Sequence, residues 1–178
     1  MTRLVLCRHA EAGNAKEANE LAAVLASVHF DAVYTSPLER ALATSRAVAA
    51  QHWLVPVEVA DLREIDFGEV EGLGFDQLSA ELKAGLLGEP LTVRFPGGET
   101  YGELRERVCR ALAEIVERHA GETVAIVTHA GPIRAALAAW LGIEGEAIFR
   151  IDQRTASVNI VDWQDGVPIV RLVNGTRP

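Results

Sequence analysis

The sequence predicts an α/β protein, a three-layer α/β/α sandwich whose central sheet is mainly parallel and carries an antiparallel edge strand. Three observations carry that expectation. Short apolar runs rich in β-branched residues alternate with longer stretches whose apolar residues recur at helical spacing. The clearest run, Val124-Ala125-Ile126-Val127-Thr128, is apolar almost throughout, as strands covered on both faces are. Near the C-terminus, two apolar runs are joined across Gln164-Asp165-Gly166, which reads as a hairpin.

The elements follow in order. Leu4-Val5-Leu6-Cys7 reads as a buried strand, with a polar turn from Arg8 to Lys16 after it. From Glu17 to Val28 the residues Leu21, Val24, Leu25 and Val28 mark a helix, and Ala32 to Thr35 a second strand. Ser36-Pro37 then suits a helix start, with Ser36 as N-cap and proline in the first turn. Leu38, Ala41, Leu42, Ser45, Val48 and Ala49 share one face of that helix. A short strand fits Val57 to Val59, irregular chain Leu62 to Gly74, and a helix Phe75 to about Ala84. Glu89 to Gly98 reads as a loop and Tyr101 to His119 as the clearest helix. Another helix follows His129-Ala130-Gly131-Pro132, and strands are expected at Ser157 to Trp163 and Ile169 to Val173.

Bulk properties narrow the function. At 178 residues and 49% hydrophobic, the chain suits one catalytic domain over 1–178 with a real core. Its net charge of -8 argues against nucleic-acid and anionic-membrane partners, since no basic run offsets the acidic excess. Cys7 and Cys109 lack metal-ligand spacing and read as reduced thiols. No apolar run approaches the ~20 residues of a membrane span, and the N-terminus is too soon charged for a secretory signal. A cytoplasmic setting is the resulting expectation. The edge of the terminal hairpin is one surface on which a homodimer could pair.

In parallel sheets, ligands gather beyond the carboxyl ends of the strands. Arg8-His9 follows the first expected strand, Ser36 to Arg40 the second, and His129 the clearest one, just before a helix N-terminus. Phosphoryl transfer calls for this set. Guanidinium groups bind the equatorial oxygens, a neutral imidazole can attack in line, and a carboxylic acid can protonate the leaving oxygen. Glu64 and Asp66 are the candidates for that acid. Spacing alone supports no more than an α/β enzyme with an anion site.

At these residues the sequence resembles the histidine phosphatase superfamily, in its phosphoglycerate-mutase-like branch. Four ordered blocks carry the likeness: Arg8-His9-Ala10-Glu11, Ser36 to Ser45, Leu62-Arg63-Glu64 through Gly72, and Val127 to Arg134. The resemblance implies His9 as the phosphorylated nucleophile and Glu64 as proton donor. It implies Arg8, Arg40 and His129 as a phosphate clamp, with Ala130, Gly131 and Asn14 also touching substrate. Asp66 becomes a bystander and Glu11 a support for local geometry. No metal and no other cofactor is implied. The substrate would be a small phosphorylated metabolite, and several segments look most like the α-ribazole phosphatase subgroup. Phosphoglycerate-mutase-type transfer, a metallophosphatase built on His9, His129 and Glu64, and a non-catalytic phospho-ligand binding module are the alternatives. Two departures stand out. Ala10 replaces the usual glycine, and Asn14-Ala15-Lys16 runs almost directly into a helix where relatives carry a long covering loop. A more open pocket is expected to follow.

Overall fold

The computed structural model describes residues 1–178. In chain order its elements are β1 (Thr2–Arg8), α1 (Ala15–Leu25), β2 (Ala32–Thr35), α2 (Glu39–Ala50), β3 (Val57–Glu58), α3 (Ala80–Gly88), α4 (Tyr101–Arg118), β4 (Thr123–Thr128), α5 (Ala130–Leu141), β5 (Val158–Gln164) and β6 (Val167–Gly175). The strands form one sheet in the order β3-β2-β4-β1-β5-β6. β1, β2, β3 and β4 run parallel, while β5 and β6 add an antiparallel edge.

Alternation along the strands divides the core into two. Val5, Cys7, Val33, Ala125 and Val127 pack with Leu21 and Leu25 of α1 and Val48 of α2. Leu4, Leu6, Tyr34, Val124 and Ile126 point the other way, against Leu104, Val108 and Leu112 of α4 and Ile133 and Leu137 of α5. A strand repeat of two residues places successive side chains on opposite faces, so three layers follow directly from the sequence pattern.

Helix ends are set by side chains more than by the apolar stripe. Asn14 caps α1 by accepting the Glu17 N–H, which starts the helix at Ala15, two residues before the expected start at Glu17. Thr100 and Glu103 form a reciprocal capping box at the start of α4. Two expectations need correction. Ser36 does not cap α2; the helix begins at Glu39 after Leu38 in extended conformation. The helix expected from Phe75 is a single 3-10 turn over Phe75–Gln77, followed by α3 from Ala80. Gln77 bonds back to the Gly74 N–H while Ser79 caps Leu82, so these side chains divide the segment in two. The β5–β6 turn uses left-handed Asp165 and Gly166, as a two-residue hairpin demands.

At the end of the sheet away from the site, buried Asp162 on β5 holds β1 and β6 together. Its carboxylate accepts from Arg3 Nε and Nη2 at 2.7 and 3.0 Å and from Arg171 Nε at 3.0 Å. The hydrogen bond from Arg3 is the main reason its pKa lies below the ordinary value. A depressed carboxyl contributes stability that is present above the unfolded value of ~4 and is lost as pH falls through the folded value. The Asp162→Asn variant should therefore be less stable than the wild type by on the order of 1–2 kcal/mol at pH 7, the half-exposed guanidiniums limiting the effect. Urea unfolding should show that gap narrowing as pH is lowered below ~4; a gap of constant size would contradict this account.

Candidate active site

Three neighbouring parallel strands end level with one another. Arg8 is in register with Thr128, and Thr35 with Val127. The residues that follow each strand, His9, Ser36 and His129, therefore emerge at one edge of the sheet. His9 is held by its own backbone, with its N–H to Thr128 O at 2.9 Å and its carbonyl accepting from Ala156 N at 3.3 Å. The next residue donates its N–H to Thr44 Oγ1 on α2 at 3.0 Å. This closes the turn over α2.

The His9 imidazole donates from Nδ1 to the Ala10 carbonyl at 2.6 Å, which leaves Nε2 with its lone pair. Arg40 Nε points at that lone pair from 3.3 Å. Burial is the largest influence on His9 and lowers its pKa, Arg40 and Arg8 lower it further, and the Ala10 bond and Glu17 oppose them. The ring is therefore a neutral base with one nitrogen free to act.

His129 is fully buried, and its ring lies 4.9 Å from that of His9. Its Nε2 is 2.7 Å from Ser36 Oγ, which itself accepts the Leu38 N–H at 3.3 Å. Nε2 is the one acceptor bonded to Ser36 Oγ, so the hydroxyl proton is satisfied by pointing at Nε2, which assigns the ring proton to Nδ1. That Nδ1 is buried without a partner. Burial first, then the repulsion a second imidazolium would meet at His9 and the positive fields of Arg40 and Arg8, push the His129 pKa down to about 2. Arg8 is similar: Nη1 donates to the Gln153 carbonyl at 2.5 Å, while its Nε is buried and unpaired. Orphaned buried N–H groups are costly, and two beside one imidazole are donors suited to an anion.

Glu64 lies on the irregular segment between β3 and α3. One carboxyl oxygen accepts its neighbour Ile65 N at 3.0 Å, and the other faces the Gly131 N–H of α5 at 3.4 Å. Burial raises its pKa; the two backbone bonds and then Arg40 and Arg134 act against that rise without cancelling it. The segment is held from below by Arg107 of α4, which donates to the carbonyls of Asp61, Arg63 and Glu64 at 2.7, 2.9 and 3.0 Å. Glu99 pairs with Arg107 at 2.5 Å and accepts the Asp66 N–H at 2.9 Å. Gly68, in left-handed conformation, and Gly98 let the two loops touch through their backbones, where a Cβ on either would collide with a carbonyl.

The structure thus brings His9, Arg40 and His129 together, with Arg8 and Glu64 in their electrostatic reach. Asn14 lines a hollow of about 210 Å³ with Arg40 and Thr44, but its side-chain oxygen is used in capping α1. Gly131 gives its N–H to Glu64, Pro132 has none, and Ile133 donates to the His129 carbonyl, so Ala130 carries the uncommitted N–H of that turn. Asp66 is exposed and bonds the Gly68 N–H. Glu11 is exposed too; Glu17 accepts its N–H and binds Thr155, tying the opening turn to the chain before β5. Ser36 as partner of His129, Arg107, Glu99 and Glu17 were not singled out from the sequence. A weak signal existed for Arg107: it lies beside Leu104, Val108 and Ala111 on the buried stripe of α4. No grouping of three His, Cys, Asp or Glu residues is placed to hold a metal, His9, His129 and Glu64 included. No helix is long and apolar enough to cross a membrane.

Sheet order and site together define the class, an α/β protein with a neutral imidazole at the centre of an arginine-lined hollow at its strand ends. A sequence profile of the histidine phosphatase superfamily (branch 1) matches residues 11–176, and the chain belongs to that family. Phosphoserine phosphatase 1 of Hydrogenobacter thermophilus is 27% identical over 99% of this chain and 93% of its own length. Other curated relatives, 34% or 36% identical, are longer proteins of which the chain spans 57% or 41%. The structure of Bacillus stearothermophilus YhfR superposes with a TM-score of 0.90 at 26% identity, covering 98% of each chain. A putative α-ribazole-5'-P phosphatase from Escherichia coli shares the fold, with a TM-score of 0.86 at 24% identity over 99% of this chain and 97% of its own. The chain is accordingly an enzyme of the phosphoric monoester hydrolase type.

Contact between α5 and Glu64 supplies a test of the site's geometry. A Cβ at Gly131 would overlap Glu64 Oε1. The Gly131→Ala variant should fold, with an unchanged far-ultraviolet circular dichroism spectrum, yet lose at least tenfold in turnover because displacing a reacting group by about 1 Å costs on that scale or more. Unimpaired turnover would show that the carboxyl need not occupy this position.

Proposed function

We propose that the chain is a metal-independent phosphomonoesterase that works through a phosphohistidine on His9, in a single catalytic domain over 1–178. The observation that carries this reading is the pair of buried, unpartnered N–H groups on Arg8 and His129 beside a neutral His9 whose Nε2 is unprotonated. Arg8, Arg40, His129 and the Ala130 N–H bind the phosphate oxygens, so Arg40 exchanges its contact with Nε2 for one with substrate. The Nε2 lone pair attacks phosphorus as the bond to the leaving oxygen breaks, and that oxygen takes the proton of Glu64. Water then attacks the phosphohistidine and gives a proton to the Glu64 carboxylate. The P–N bond breaks, and His9 returns neutral. The first step leaves a cationic phosphorylated ring and a Glu64 carboxylate, and the second returns both groups to their starting neutral forms.

Relatives bearing phosphoserine and α-ribazole phosphatase names support hydrolysis of a small phosphorylated metabolite, and α-ribazole phosphate, phosphoserine and 3-phosphoglycerate are the compounds to compare. A mutase would have to shield phosphohistidine from water. Only His9 to Asn14 separate β1 from α1 here, which favours hydrolysis over transfer.

With p-nitrophenyl phosphate in chelator, phosphate release should persist in the wild type, and His9→Ala should form no phosphoenzyme by mass spectrometry. Phosphate found on another residue would overturn the assignment. Glu64→Gln should lower turnover of an alkyl phosphate by ~10²–10⁴ but slow p-nitrophenyl phosphate much less, because that leaving group needs no proton. Equal losses on both substrates would remove Glu64 from the role.

The pH dependence follows from the two shifts. Activity requires His9 unprotonated and Glu64 protonated. A lowered His9 pKa moves the acid limb of kcat/KM down, and a raised Glu64 pKa moves the alkaline limb up. Glu64→Gln should lose the alkaline limb and keep the acid one; retention of both would indicate a different acid.

A further inference from the structure

Beyond the phosphate hollow lies a cavity of about 660 Å³. Its aromatic wall is a row of edge-on and tilted rings, Phe67 on Phe95, Phe95 on Tyr101 and Tyr101 on Phe149, with centroids 5.0, 6.1 and 5.1 Å apart. Tyr101 and Phe67 line this cavity and belong to the two elements that flank Glu64: Tyr101 opens α4 one turn before Leu104, whose side chain lies 3.5 Å from the Cβ position of Gly131 beside Glu64. The Tyr101 hydroxyl lies within the electrostatic reach of Glu64 and Arg134, and Phe67 follows Glu64 on the segment that Arg107 and Glu99 hold.

Two features bear on what the cavity accepts. Leu73, Phe75 and Leu87 line it and are 47%, 48% and 52% exposed, so large apolar side chains stand in water around its mouth. Such exposure is unfavourable unless something apolar covers it. The lining also contains no lysine or arginine, and its one ionisable carboxylate is Glu71. A carboxylate on the substrate would therefore meet no cation there and one like charge.

Resting on the phosphatase reading above, we propose that this cavity is the leaving-group subsite and that the preferred substrates are phosphomonoesters of uncharged, apolar alcohols, not of amino or carboxylic acids. The phosphate sits at His9, the ester oxygen faces Glu64, and the apolar part extends past Tyr101 between the Phe67–Phe75 segment and α3. Phosphoserine and 3-phosphoglycerate would bind through their phosphate alone.

The test uses the intact chain and n-alkylphosphonates from methyl to octyl, which cannot be hydrolysed, with affinities measured by calorimetry. Affinity should rise about fourfold per methylene until the cavity is filled, the value for burying one CH₂. In parallel, kcat/KM should climb along the matching alkyl phosphates and exceed that for phosphoserine by more than tenfold at hexyl phosphate. Phe75→Glu and Leu87→Glu, at half-exposed rim positions that tolerate charge, should flatten both series while leaving methylphosphonate binding unchanged. A flat phosphonate series in the wild type, a slope untouched by both variants, or a preference for phosphoserine over hexyl phosphate would each overturn the proposal. A rising phosphonate series that Phe75→Glu flattens, with no turnover of any ester, would uphold the cavity and refute the phosphatase reading instead.

Discussion

The constraint on which the site depends is that two imidazoles are kept uncharged next to guanidinium groups. Burial disfavours the imidazolium at both positions, and Arg8 and Arg40 add to the effect. Were either ring protonated, the hollow would hold a further buried cation without an anion to offset it, a configuration proteins tolerate poorly. Neutrality gives each ring one accepting and one donating nitrogen. The backbone then decides which is which: the Ala10 carbonyl takes the Nδ1 proton of His9, and Ser36 directs His129 the opposite way. One ring is left with an accepting nitrogen and the other with a donating one, from the same residue type 4.9 Å apart.

The carboxyl group answers to a separate support. Glu64 lies outside any regular element, and without Arg107 the carbonyls of Asp61, Arg63 and Glu64 would lose the donors that hold them. Three carbonyls of that segment converge on one guanidinium, whose remaining capacity is taken by Glu99. Arginine suits this place because its planar fork reaches several acceptors while staying charged. The pair is buried, so its net contribution to stability is small beside its effect on geometry. Removing one member would leave the other uncompensated and release the acid from its position.

Most of the layered architecture was legible in the sequence, because strand and helix periodicities are imposed by burial and burial is written in the apolar pattern. The parallel strands, the amphipathic face of α4 and the turn at Asp165-Gly166 all follow from residues local to them. What escaped was governed by polar side chains with two options. Ser36 has the composition of an N-cap but spends its hydroxyl on His129, 93 residues away. Ser79 and Gln77 split a segment whose apolar content alone suits one helix. The five proposed central residues, His9, Arg8, Arg40, Glu64 and His129, were singled out through ordered motifs. Periodicity would not have found Glu64, since nothing local marks that carboxyl as buried. Glu17 and Glu99 were hidden for the same reason: their partners Thr155 and Arg107 are joined to them only by the fold.

Asymmetry around the hollow explains where selectivity can reside. On the α1 side, the short turn from His9 to Asn14 is committed to helix capping and to Glu17, so it has little left with which to grip a substrate. On the opposite side, the chain from Leu62 to Tyr101 carries Glu64, Phe67, Phe95 and Tyr101 of the aromatic row, and the rim residues. Gly68 and Gly98 lock its two halves together by backbone contact, with no side chain between them to absorb a shift. The carboxyl and most of the cavity wall thus lie on one segment, while the two imidazoles and Arg40 are placed by the sheet edge and α2. A loop change that reshapes the cavity falls within the segment that carries Glu64, whereas the surroundings of His9 are set by strand register.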